Sequence, residues 1–138
     1  MRKRIFGRRF KRDTNERKAL FRGLMNSLVL QGKIKTTEAR AKSIKGAIEK
    51  LITVAKNKEE NARGHLLSKL PNEKVVDKII RDIAPKFATR PGGYTRIVKM
   101  GPRLKDAAKM VIITWVEEIA PTSFAEPKRK RVKSVIEL

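Results

Sequence analysis

The chain has 138 residues, with 35 Lys and Arg against 14 Asp and Glu, a net charge of +21, 40% apolar residues and no cysteine. That length suits one domain able to bury a core without cross-links. A charge excess of this size repels itself unless a polyanion neutralises it, and the lack of cysteine excludes disulfides, thiolate metal sites and cysteine nucleophiles.

Residues 1–12, MRKRIFGRRFKR, hold seven basic and no acidic residues. A block of this kind is expected to be disordered alone and to order on a polyanion. Its apolar residues Ile5, Phe6 and Phe10 suit either stacking on bases or tucking onto the domain. Asp13, Thr14 and Asn15 are cap-type residues. They precede a helical stripe at Leu20, Phe21, Leu24, Met25 and Leu28, which predicts a helix over 17–29 closed by Gly32. Lys18, Arg22 and Asn26 fall on the opposite side, open to phosphates.

Lys33–Thr37, KIKTT, reads as a short strand, with Thr36 or Thr37 capping a helix from Glu38 to about Lys56. Ala41, Ile44, Ile48, Leu51, Ile52 and Ala55 form its buried face, while Arg40, Lys42, Lys45 and Lys50 decorate the rest. A loop near 57–61 and a weaker helix over 60–70 follow, with Gly64 weakening the latter. Pro71-Asn72 opens another helix, with Val75, Val76, Ile79, Ile80 and Ile83 inward, and Pro85 should end it at or before Ala84.

The pattern then changes to strand formers at Tyr94–Lys99 and Met110–Glu117. Between them, MGPRLKDAAK reads as the long basic tip of an antiparallel hairpin. The second strand is nearly all apolar, so it should sit centrally with a face packed on helices, and Trp115 should be core. From Ala120 the pattern stops, and KRKRVK at 128–133 reads as a second, mobile basic tail and as a weak nuclear-localisation match. The expected fold class is α+β: about four helices on a small, mostly antiparallel sheet, made of the hairpin plus a short strand at 33–37. The expected organisation is a basic extension over 1–14, a domain over 15–119 and a tail over 120–138.

Catalytic chemistry finds little support. Glu59-Glu60, Asp77, Asp82 and Glu117-Glu118 fall on expected solvent faces or at a strand end, and no spacing among them specifies a metal. The single His65 cannot form a multi-histidine site. Gly92-Gly93 lies between helix and strand without the Lys-Ser or Lys-Thr pair of a phosphate-binding loop. No zinc-ligand pairs, zipper or duplex-reading helix is evident. The longest apolar run, Met110–Val116, is far below the roughly 20 residues of a spanning helix, and no apolar segment of a signal peptide follows Arg2–Arg12. No membrane, small-molecule substrate, cofactor or metal is expected.

The charge is concentrated instead. Residues 1–22 carry ten basic and two acidic residues, and residues 85–109 carry seven and one. Both stretches are rich in Arg, which grips phosphate bidentately and stacks on bases. A DNA-compacting protein and an RNA-processing enzyme are the rival readings. The first lacks a duplex-reading helix and the second lacks a convergent acid–base set.

Three segments, GRRFKRDTNERKALFRGLMNSLV, IKTTEARAKSIK and KFATRPGGYTRIVKMGPR, resemble the bacterial-type large-subunit ribosomal protein seventeen family. With their spacing, the resemblance covers about residues 1–118. Two features depart from it: Lys3, where the family commonly has His, and the tail Pro121–Leu138. The resemblance implies a structural, non-catalytic protein of the large ribosomal subunit in the cytoplasm. It would bind large-subunit rRNA beside other ribosomal proteins, near the exit of the nascent-chain tunnel.

The candidate RNA-binding residues are Arg2, Lys3, Arg4, Arg8, Arg9, Lys11 and Arg12 of the arm, and Arg17, Lys18 and Arg22 of the first helix. Lys35, Thr36, Thr37, Arg40 and Lys42 form a middle group. Arg90, Gly92, Gly93, Tyr94, Arg96, Lys99 and Arg103 complete the set. Arg90, Arg96 and Arg103 are favoured there, and Tyr94 suits either packing on the sheet or stacking on RNA.

Overall fold

A computed structural model describes residues 7–57 and 61–121. The candidates Arg2, Lys3 and Arg4, together with Ile5, Phe6, Glu59-Glu60 and the tail beyond Pro121, lie outside the described residues.

Helix α1 spans Thr14–Gln31. It starts where Asp13 accepts from the Glu16 N–H while the Glu16 side chain accepts from the Asp13 N–H, a reciprocal capping box. It ends at Gly32, whose φ of 80° suits a left-handed C-cap. Strand β1 follows at Lys33–Thr37 and runs directly into α2, Glu38–Asn57. Neither Thr36 nor Thr37 caps that helix with its side chain. Thr36 is buried at 7% exposure, opposite Val111 in the sheet. The six apolar positions expected on the inner face of α2 are all buried.

Helix α3 spans Ala62–Lys69, and α4 opens at Glu73 with the Asn72 side chain accepting from the Lys74 N–H. Regular α geometry stops at Lys78. A π turn over Ile79–Ile83 and a 3₁₀ turn over Ala84–Phe87 carry the chain past Pro85. The α-helix thus ends before Ala84, as expected, and the chain continues with a change of pitch. Proline lacks an N–H and its ring crowds the carbonyl four residues earlier, so the α ladder cannot continue. The wider turn hands the Ala84 N–H to the Ile79 carbonyl and keeps Ile79 and Ile83 buried. Ile80, expected inside, is only half-buried.

Strands β2, Thr95–Pro102, and β3, Lys109–Trp115, complete an antiparallel sheet of order β1-β3-β2. β3 is central, as its apolar run requires. β2 outlasts its expected end at Lys99 because a bulge falls between Lys99 and Gly101, where Gly101 takes φ 95°. The ladder then continues to Pro102, which is tolerated on an edge strand. The helices cover one sheet face, burying Val111, Ile113 and Trp115 of β3. Phe87 sits at the centre of this packing, with ring centroids 5.1 Å from Tyr94 and 6.0 Å from Trp115. Trp115 also donates its indole N–H to the Leu28 carbonyl at 3.4 Å.

Candidate nucleic-acid interface

Side chains alternate across a strand, so the sheet has a second face. On it, Lys33 of β1 and Arg96 of β2 flank Thr114 of β3 in one row, and Lys35 and Val98 flank Ile112 in the next. Lys33, Lys35 and Arg96 are exposed and Val98 is 45% exposed. No acidic residue stands in these rows. Cations from two segments some sixty residues apart thus meet on one surface. Lys33 escaped the sequence reading, although its two-residue spacing from Lys35 in a strand already places both on one face.

A second cationic group surrounds the start of α2. The arm reaches it at Gly7 and Arg8, which line an open cleft of about 730 Å³ with Thr37, Glu38, Lys42 and Lys109. Lys42 pairs with Glu38 at 2.6 Å. A hydrogen bond from Lys42, then its charge and those of Lys99 and Lys109, hold the Glu38 carboxyl below its ordinary value despite some desolvation. Arg40 and Thr37 are half-buried beside this group.

The arm itself is partly anchored. Phe10 takes the tucked reading: its ring meets Phe21 edge-on at 5.9 Å, and Arg12, half-buried, donates to the Phe10 carbonyl at 3.1 Å. Arg8, Arg9 and Lys11 remain exposed, as do Lys18 and Arg22 on α1, while Arg17 is half-buried. Arg22 uses its Nε to bind the Lys69 carbonyl at 3.1 Å, tying α1 to the end of α3.

The stretch from Arg90 to Thr95 is held from α2. Lys56 donates to the Arg90 carbonyl at 2.5 Å and to the Tyr94 hydroxyl at 3.1 Å. One Glu49 oxygen accepts from both the N–H and the hydroxyl of Thr95. Of the two readings open for Tyr94, packing or stacking, the structure has the first: it is 1% exposed, Phe87 packs against its ring and Lys56 donates to its hydroxyl. Burial alone would raise the phenol pKa, but hydrogen bonds with Thr53 and Lys56 and the Lys56 charge outweigh it, and the value is lowered. Thr36, another candidate, is also buried. Gly92 and Gly93 stay exposed, and Arg90 is half-buried with Glu117 3.6 Å away.

At the hairpin tip Arg103 forms a fork with Asp106, Nε to Oδ1 at 2.9 Å and Nη2 to Oδ2 at 2.6 Å. Hydrogen bonds from Arg103 and the Ala108 N–H pull the Asp106 carboxyl down to about 2. Leu104 at the apex and Met100 beside it are exposed. Neither figured in the sequence reading, because apolar residues carry no charge signal.

Among the described residues, no group of three metal-ligating side chains is present, and no helix is long and apolar enough to cross a membrane. Fold and site together define a basic α+β scaffold whose exposed chemistry is cationic. Residues 20–116 match the family described as ribosomal protein L17. The chain belongs to the ribosomal protein L17 family, which is a structural ribosomal component and not an enzyme.

Three relatives, each named large ribosomal subunit protein bL17, are similar over most of their length. The one from Thermodesulfovibrio yellowstonii is 40% identical over 95% of this chain and 98% of its own. The one from Carboxydothermus hydrogenoformans is 53% identical over 74% of this chain and 91% of its own. The one from Clostridium botulinum is 48% identical over 79% of this chain and 96% of its own.

Proposed function

We propose that this chain is a structural constituent of the large ribosomal subunit and that it binds rRNA through its basic arm and sheet surface. The observation that carries the RNA contact is the uncovered sheet face, where Lys33, Lys35 and Arg96 stand exposed with no acidic residue among them. Flexible cations spaced along a sheet neutralise phosphates and fit the shape of a folded RNA, without reading base edges. The arm around 1–14 and the hairpin tip reach between RNA helices from the body at 15–119. The names carried by the relatives support residence in the large subunit, and with it a cytoplasmic location. Family resemblance supports a place near the nascent-chain exit, beside neighbouring ribosomal proteins.

Sedimentation of the tagged chain on a sucrose gradient tests this reading. Co-migration with large subunits is expected, and migration with nucleoid overturns it. In vitro, if six basic residues pair with phosphates, log K against log salt should slope at roughly −4 to −5. A slope near zero removes the electrostatic account.

A further inference from the structure

The hairpin tip is built more rigidly than a solvated loop requires. Beyond the Arg103–Asp106 fork, the Arg103 N–H donates to the Ala108 carbonyl at 2.8 Å and the Ala107 N–H to the Arg103 carbonyl at 2.8 Å. The Ala108 N–H donates to Asp106 at 3.2 Å. These bonds fix the turn before any partner arrives, and preorganisation lowers the entropic cost of binding. The fork to Asp106 also sets the orientation of the Arg103 guanidinium, which is planar by its own delocalisation.

Arg103 is one of the residues that line a groove of about 360 Å³ at the tip. Met100, Pro102, Leu104 and Met110 give the groove apolar walls, and Lys35 and Lys105 stand at it as cations. Apolar walls, a planar cation and flanking ammonium groups match one ligand chemistry: a flat base attached to phosphates. Splayed RNA bases stack on Arg planes as well as on aromatic rings. Asp106 is the one acidic residue in the tip, and its charge is already matched by Arg103.

We propose that the tip groove takes a single unpaired RNA nucleotide, its base stacked on Arg103 and its phosphates held by Lys35 and Lys105. This rests on the rRNA-binding reading and adds the class of RNA element: a bulged or looped-out nucleotide rather than continuous duplex. Asp106 is a positioning residue that holds the Arg103 plane.

Two RNA duplexes of equal length test it, one fully paired and one with a single bulged 2-aminopurine, with affinity read by fluorescence anisotropy. The protein should bind the bulged RNA about tenfold more tightly, the order expected for one stacked base. Arg103→Lys keeps the charge but not the plane, so it should abolish the preference for the bulged RNA. Asp106→Ala adds net positive charge, so it should tighten binding to both RNAs while reducing the preference. Retention of the full preference in both variants overturns the platform. Equal binding of both RNAs by the unmodified protein overturns the groove and leaves the rRNA reading standing, whereas binding of neither overturns both. A photocrosslinking residue replacing Leu104 in assembled particles should capture an unpaired nucleotide, and capture of a protein side chain instead overturns the proposal.

Discussion

The Lys56 ammonium donates to the Tyr94 hydroxyl at 3.1 Å, and the same ammonium reaches the Arg90 carbonyl at 2.5 Å. One α2 side chain therefore sets both ends of the loop that carries Gly92 and Gly93. Replacing it by Met should cost about 1–2 kcal/mol, since two hydrogen-bond acceptors lose a donor. Tyr94 is the only tyrosine, so ultraviolet titration of phenolate reads it alone. In Lys56→Met the phenol should titrate at higher pH, because the variant loses a hydrogen bond and a charge that lower its pKa. An unchanged titration removes Lys56 from this role.

The two adjacent glycines should respond differently to alanine. Gly93 has φ 64°, a region that L-residues enter at a cost, whereas a Cβ on Gly92 or Gly93 would meet no atom within 4 Å. Gly93→Ala should therefore destabilise by about 1 kcal/mol through backbone strain alone. Gly92→Ala should leave thermal stability unchanged. If Gly92→Ala weakens RNA binding with the melting temperature intact, the backbone there is a contact surface.

The tip should loosen in acid. The Asp106 pKa is depressed from 3.8 to about 2, so its folded-state contribution is complete above 3.8 and is lost as pH falls through about 2. The Arg103 Nε–H resonance should keep its hydrogen-bonded position down to that window and then shift. A shift centred near 3.8 would mean that the fork does not persist in solution.

Lys78 holds the chain that follows the sheet. Its buried ammonium donates to the Leu30 carbonyl at 3.0 Å and the Ala120 carbonyl at 2.9 Å. Desolvation lowers its pKa, partly opposed by Asp82. Lys78→Ala takes this donor from both carbonyls and should destabilise by about 1–2 kcal/mol. Faster amide exchange at Ile119 and Ala120 than elsewhere in the domain is the local readout.

The open sheet face should carry part of the salt dependence. Converting Lys33, Lys35 and Arg96 to Gln removes three exposed cations outside the core. The slope of log K against log salt should fall by about 2 to 3, with the melting temperature unchanged. An unaltered slope moves RNA binding to another face.

Much of the fold was legible along the chain because its signals are local. Asp13 caps α1 with residues one turn away, and the α2 stripe needs only a 3.6-residue period. KIKTT and the apolar run of β3 show strand composition within a few residues. The charge that points to a polyanion is a sum over side chains and needs no structure.

Contacts across the chain were decided only by tertiary packing. Tyr94 has a ring suited to core or base and a hydroxyl needing a partner, and Lys56, 38 residues away, settles it inside. Phe10 is covered because Phe21 lies within reach, and the Arg103 plane is committed to Asp106 by the turn that brings them together. Lys33 and Arg96 become neighbours because β3 pairs with both β1 and β2. A residue's type states which partners would satisfy it. Which partner it meets depends on how distant segments pack, a free-energy balance over the whole chain that no local window contains.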